Sequence, residues 1–309
     1  MNPITASAVR YIKLGPGGAW VERCLANSEI EFGYAGEPFD HAAAGDWDGV
    51  VAHYVRQGKS LAKARDAMRE IQDFVALGPD CLWITFADHH LWWAFAEPGV
   101  VVDPSPQPGH GVCRRRALGG WRKTDIAGVP LRIDGLTSKL TQVAAYRQTI
   151  CSVKASDYLL RRINTVPEPL LVDARSARTA LMRTASAMIA DLHWSDFEVL
   201  VDLIFARGGW QRTSRLGEMM ADIDLLIEQP TLSEVASVQV KSRATQAVLD
   251  AHMAHFSASS LSRTFFVCHS PDGALATGGA RGVHLWTGEP LAEMAIKSGL
   301  FDWLMERVG

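Results

Sequence analysis

The residues best equipped for chemistry in this 309-residue chain are two carboxylates, Asp222 and Asp224, and the triplet Gln239-Val240-Lys241 about fifteen residues later. Side chains alternate along a strand, so Gln239 and Lys241 share one face while Val240 points into the opposite layer. If Asp224 opens a neighbouring strand, Asp224, Gln239 and Lys241 converge on one point. A carboxylate and an amide carbonyl are oxygen donors of the kind a hard divalent cation takes. Such a cation polarises a phosphoryl oxygen and lowers the pKa of a water bound to it. A lysine beside it orients that water and stabilises developing negative charge. These are the needs of phosphodiester hydrolysis. Taken singly, each residue also has a plainer use: an aspartate at a strand start is often a solvated turn residue, and a lysine at a strand end often snorkels to the surface.

Several elements must form to position the triplet. Ser195-Asp196-Phe197-Glu198 reads as a capping box opening a helix, with Phe197, Leu200, Val201, Ile204 and Phe205 on one face and Gly208-Gly209 at its end. Ile223–Ile227 and Ser237–Val240 read as apolar strands, Ala244–Phe256 as a helix, and Thr264–His269 as a buried central strand. One last helix is expected over Pro290–Val308. The order helix, strand, strand, helix, strand, helix describes an α/β layer built on a mixed sheet. The capping box is a sufficient reason for Glu198, and a reach from the helix to the cation is an equal one. Asp222 is a candidate for an extra ligand. Ser242 and Arg243, just after the lysine, are placed to touch phosphate. His252 and His255 lie three apart, as metal ligands can, but no third ligand accompanies them.

The pieces Asp196–Val201, Gly208-Gly209-Trp210, Asp222-Ile223-Asp224-Leu225 and Val238-Gln239-Val240-Lys241 occur in an order and spacing that resemble the Mrr-type restriction endonucleases, a family within the PD-(D/E)xK nuclease class. The resemblance covers residues 192–309. It implies a restriction-endonuclease-like mixed sheet flanked by helices and DNA cleavage with Mg²⁺, for which Mn²⁺ can substitute. By position it makes Asp224, Gln239, Lys241 and Glu198 the catalytic set. It makes Asp224, Gln239, Glu198 and Asp222 the metal ligands, and glutamine in place of the usual acid is a mark of this branch. The sequence departs from the family at Gly217–Ala221, where a glycine-rich loop is usual.

The N-terminal half reads as a small α+β domain. Tyr11–Leu14 and Ile30–Phe32 are expected strands around the Gly15-Pro16-Gly17-Gly18 turn. Asp46 is an N-cap for a helix carrying Trp47, Val50, Val51 and Tyr54, and Leu61–Leu77 is a basic amphipathic helix. Cys81–Phe86 and Leu91–Phe95 form a hairpin, and strands near Val129–Ile133 and Thr149–Val153 complete the sheet. Six of the ten tryptophans fall here. Filling a small core accounts for any one of them. The pattern of Trp20 after the glycine turn, the Leu82–Thr85 strand and Gln148–Cys151 loosely resembles PUA-like domains, the EVE and YTH group, which hold an extruded base in an aromatic cage. That resemblance implies base contacts from Trp20, Trp47, Trp83 and Trp93. Arg114, Arg115 and Arg116 either grip phosphate or form a solvated basic loop.

The chain is 48% hydrophobic and 21% charged, an ordinary globular balance, with a net charge of −3. Residues 1–165 hold 19 basic and 17 acidic side chains, residues 166–309 hold 12 and 17. Acidic residues that gather cations fit the second balance, and the first half is then the main source of DNA affinity. No apolar run approaches the roughly 18 residues of a membrane span, and no secretory leader is evident, so a cytoplasmic protein with no membrane partner is expected. The five cysteines are scattered, which excludes a disulfide framework and a cysteine-rich zinc site. No phosphate-binding loop of the GxxxxGK[ST] type is present, so nothing points to NTP-driven movement along DNA. The division expected is a modified-base recognition domain over 1–165, a linker and connecting helix over 166–191 and a nuclease over 192–309. The expected partner is double-stranded DNA, with or without modified bases, and cutting both strands calls for a homodimer. A catalytically weak reader of modified DNA or RNA and a structure-specific nuclease for junctions or damage are the alternatives.

Overall fold

A computed structural model describes residues 3–34, 36–103, 105–213 and 224–309. The chain divides into two compact units, Met1–Pro169 and Leu170–Gly309. Each is a mixture of helices and strands.

The first unit runs β1 (Ala8–Ile12), α1 (Val21–Asn27), β2 (Glu29–Phe32), α2 (Phe39–Ala43), α3 (Trp47–Arg56), α4 (Leu61–Ala76), β3 (Cys81–Ala87), β4 (His90–Ala96), β5 (Val101–Val102), β6 (Cys113–Arg122), α5 (Ser138–Thr141), β7 (Ile150–Ser152) and α6 (Ser156–Ile163). Its sheet has the order β2-β6-β4-β3-β1-β7, with β5 beside β6. Among the described residues of this unit only β1 and β3 pair in parallel; the other strand pairs are antiparallel. Asp46 caps α3 by accepting the Gly49 amide, and Ser60 caps α4 by accepting that of Lys63. The β3–β4 hairpin turns on Asp88 and His89, both at positive φ (48° and 61°), as a two-residue turn matched to strand twist requires. The expected strand at Val129–Ile133 does not form. Pro130 has no amide to donate to a ladder, and the segment makes only isolated bridges, Thr124 to Pro130 and His90 to Arg132, before a 3₁₀ turn over Ile133–Gly135. The sheet buries both faces. Trp83, Phe74, Ile71 and Trp20 lie in one core, and Val9, Leu82, Trp93 and Leu159 in another.

The second unit runs α7 (Pro169–Asp191), α8 (Trp194–Arg207), β8 (Gln211–Arg212), β9 (Leu225–Gln229), β10 (Glu234–Lys241), α9 (Gln246–Ala258), β11 (Arg263–Cys268), β12 (Val283–Thr287), α10 (Gly288–Lys297) and α11 (Phe301–Val308). The sheet order is β12-β11-β10-β9-β8. β10, β11 and β12 are parallel neighbours, while β8–β9 and β9–β10 are antiparallel. It is the mixed sheet flanked by helices that the sequence predicts, with β8 and β12 added. One face, through Ala236, Val238, Val240, Phe265 and Val267, packs on α7, α8, α10 and α11. The other, through Phe266 and Cys268, packs on α9 at Leu249.

Two boundaries differ from expectation. The N-cap of α8 is His193, whose Nδ1 accepts the Ser195 amide, so the capping box at Ser195 does not form. The single C-terminal helix is two, because the chain leaves α10 through Gly299 at φ 67°, a conformation that ends a helix and suits glycine.

Candidate active site

Strand pairing brings Asp224 to the edge of β10. β9 begins at Leu225, opposite Val238, and the Asp224 amide donates to the Val238 carbonyl at 3.1 Å. β10 continues past that point to Lys241. There the Asp224 side chain meets it: its Oδ2 accepts the Val240 amide at 2.7 Å and the Gln239 side-chain Nε2 at 2.6 Å. Two donors on one strand thus fix the carboxylate in place. Gln239 is 2% exposed, and with its nitrogen donated to Asp224 it offers its carbonyl oxygen as an acceptor.

Lys241 shares the face of Gln239, at the last position of β10 and opposite Cys268 of β11. Glu198 projects from the second turn of α8. Because His193 caps the helix, Glu198 has no capping work. Partial burial of its carboxyl is the largest cause holding it above the ordinary carboxylate range. The charge of Asp224 pushes the same way, and Arg212 and Lys241 pull it back. Asp224 and Gln239 are thus hydrogen-bonded to each other, and Glu198 lies within electrostatic reach of both Asp224 and Lys241. Asp222 and Gly217–Ala221 lie outside the described residues. Arg243 is exposed just beyond Lys241.

The donor set fits a hard divalent cation. Two carboxylates repel one another, one of them is held above its ordinary range, and an amide oxygen adjoins them: a cation would relieve the repulsion and find oxygen donors. Among the described residues no three His, Cys, Asp or Glu side chains could hold a metal together. A set in which an amide stands for one acid is not a group of that kind. His252 is buried, and its Nε2 hydrogen-bonds Thr264 at 2.8 Å.

Sequence reasoning missed two features here. Arg212, on the two-residue strand β8, interacts electrostatically with Glu198. No pattern marked it, since β8 is too short to alternate. Beside Lys241 and Gln239, a cavity of about 330 Å³ opens under α9, lined by Ala247, Val248, Ala251, His252 and Phe266 as well. Only the packing of α9 on the sheet creates it.

In the first unit three of the four tryptophans share one core and the fourth lies apart from them. Trp83 is fully buried against Phe74 in one core, and Trp20 lies in the same core beside Tyr34, with Trp47 partly buried against it. Trp93 lies on the other face of the sheet, its Nε1 donating to the Thr124 carbonyl. The arginine run is not a loop but part of β6, so its side chains alternate. Arg114 and Arg116 are exposed, while Arg115 is buried and donates to the carbonyls of Phe74, Leu77 and Glu97. It closes the C-terminal end of α4, where a cation is favoured.

Residues 189–295 match the family described as restriction endonuclease, the Mrr catalytic domain. No curated protein matches the chain. Among solved structures, a DNA modification-dependent restriction endonuclease, AspBHI, aligns over 80% of this chain and 73% of its own, at 12% identity and a TM-score of 0.25. The second unit thus carries a restriction-endonuclease domain, a DNA-cutting enzyme module whose class generally uses divalent metal ions. No helix among the described residues is long and apolar enough to cross a membrane.

Proposed function

We propose that this protein is a Mg²⁺-dependent restriction-type DNA endonuclease, its second unit cutting and its first unit choosing the target, with modified bases as the mark. The observation that carries the reading is the convergence of Asp224, Gln239, Glu198 and Lys241 within a domain of the restriction-endonuclease family.

Asp224, Gln239 and Glu198 would hold the cation; Mn²⁺, a hard ion of similar ligand preference, would serve as well. The cation supplies charge to polarise the phosphoryl oxygen and to acidify a water. The chain's own residues do the rest. The Val240 amide and the Gln239 nitrogen fix Asp224 through Oδ2, and Oδ1 would be the oxygen that meets the cation. Lys241 orients the attacking water and meets the charge that develops on phosphate. Arg243 binds a neighbouring phosphate. A single site of this kind cuts one strand, so a homodimer, or two chains meeting on DNA, completes a double-strand break.

The first unit, proposed as PUA-like over residues 1–165 and joined through a linker and connecting helix over 166–191, supplies base recognition. Its net positive balance and the exposed Arg114 and Arg116 support contact with the DNA backbone. Trp47 is the most accessible of the four tryptophans and the best suited to meet a base.

The test is cleavage of matched duplexes that differ only in base modification, each incubated with the full chain and Mg²⁺, Mn²⁺ or EDTA. Cutting of a modified duplex with either metal, and none with EDTA, is expected. Equal cutting of modified and unmodified duplexes removes the targeting role of the first unit, and cutting in EDTA removes the metal.

A further inference from the structure

Among the described residues, which include all ten tryptophans, Trp194 alone of that type is exposed, at 58%. The other nine are buried or half-buried. A single apolar side chain in water is ordinary, so exposure by itself says little. Its place says more. Trp194 is the first residue of α8 and stands one helical turn before Glu198. Residues four apart lie on one side of a helix, with their β carbons about 5–6 Å apart. The indole therefore flanks the carboxylate that the nuclease reading assigns to the cation.

Two observations describe its surroundings. Its ring lies 5.3 Å from that of His193, which is tied through Nδ1 to the hydroxyl and the amide of Ser195. The indole thus has a braced neighbour and is otherwise largely in water. Phe197, three residues along α8, meets the ring of His269 edge-on at 4.5 Å, and the positive charge of Arg243 bears on that histidine. Glu198 and Arg243, assigned above to the cation and to a neighbouring phosphate, are both linked to the turn that Trp194 opens.

The charge balance narrows the kind of contact. Residues 166–309 hold 12 basic and 17 acidic side chains, so long-range charge does not draw DNA to this unit. An uncharged contact is needed beside the phosphate contacts. An exposed aromatic face supplies one, because every base has a π-face on which it can stack. Successive nucleotides are about 3.4 Å apart along a strand, so a strand with its phosphates at Glu198's cation and Arg243 carries bases within reach of the ring.

We propose that Trp194 stacks on a base next to the scissile phosphate and holds that nucleotide in register with the cutting residues. The assignment rests on the nuclease reading given above and adds to it a base contact made by the cutting unit itself. The base is drawn partly out of its stack, as where apolar side chains wedge between base steps.

The experiment uses the full chain, Mg²⁺ and a duplex whose cut position is mapped for the wild type. Single-turnover rates at sub-saturating protein are measured across salt concentrations for wild type, Trp194→Ala and Trp194→Phe. Trp194→Ala is expected to cut about 5- to 150-fold more slowly, the range of one base–aromatic stack, with the salt slope and the melting midpoint unchanged. Trp194→Phe, which keeps a ring, should recover most of the rate. Abasic nucleotides are then placed one at a time across the three positions on each side of the cut. At one position the missing base should slow the wild type as Trp194→Ala does, yet slow Trp194→Ala less than about twofold further, because two losses of one contact do not add. A wild-type rate in Trp194→Ala, a slower rate with a shallower salt slope, or additive losses at every position would overturn the stacking and leave the nuclease reading standing. A wild-type chain that cuts no DNA with any metal would overturn both.

Discussion

Asp224 and Gln239 meet across the β9–β10 edge, carboxylate oxygen to amide nitrogen, at 2.6 Å. The amide is complementary to the carboxylate in a way that a second acid would not be. Gln239→Glu would set two anions against each other in a buried place. The variant should melt several degrees below the wild type in EDTA and recover most of that loss when Mg²⁺ or Mn²⁺ is added. Thermal melts with and without metal measure both shifts; a midpoint that neither change moves would mean the pair is not where a cation sits.

Glu198 gives a pH prediction. Burial and the charge of Asp224 hold its carboxyl above the ordinary range in the folded chain. Between the unfolded value and the raised folded one, the folded state binds more protons than the unfolded state, so stability falls as pH rises through that window. Glu198→Gln removes the contribution. Metal-free Glu198→Gln should therefore lose less stability than the wild type on going from acid to neutral pH, and should bind metal more weakly. Urea titrations at a series of pH values check it, and parallel curves for the two proteins would count against it.

The three arginines of β6 should separate cleanly. Arg114→Ala and Arg116→Ala should weaken DNA binding and reduce the salt slope by about 0.9 for each phosphate no longer neutralised, with no change in melting. Arg115→Met should do the reverse. It frees three main-chain carbonyls and should cost about 2–3 kcal/mol of stability, with little change in the salt slope of the folded protein. Fluorescence anisotropy across salt concentrations, paired with denaturant melts, distinguishes them. An Arg115 variant that folds normally and binds DNA with a shallower salt slope would show that this side chain pairs with phosphate.

The C-terminal site was largely legible in the sequence, because its logic is periodic. Gln239 and Lys241 sit two apart on a strand, and strand alternation alone puts them together. Asp224 needed one further step, the assumption that its strand is adjacent. What the sequence did not disclose depends on packing between distant residues. His193 rather than Ser195 caps α8 because both have suitable acceptors two residues apart, and local pattern does not choose between them. Gly299 breaks the last helix although the apolar spacing continues on both sides. Trp83 and Trp93 fall on opposite faces because their strands are antiparallel neighbours paired at Ile84–Trp93 and Trp83–Ala94. The arginine run joined a strand that its charge had concealed.

All five cysteines are free and buried. Burial pushes the thiols of Cys24, Cys81 and Cys113 up to about 12, which leaves them protonated at neutral pH. The native chain should react with a thiol-specific reagent far more slowly than the denatured chain, in which all five should titrate. Rapid labelling of one or more cysteines without denaturant would show that a core is open.

The most direct measurement is the single-turnover rate of cleavage of the preferred duplex in Mg²⁺ by wild type, Asp224→Ala and Lys241→Ala, each first shown to fold by its melting curve. Loss of at least about a hundredfold in rate is expected for each variant, since one lacks a cation ligand and the other the charge that meets the reacting phosphate. Cutting by all three at the same rate would contradict the account.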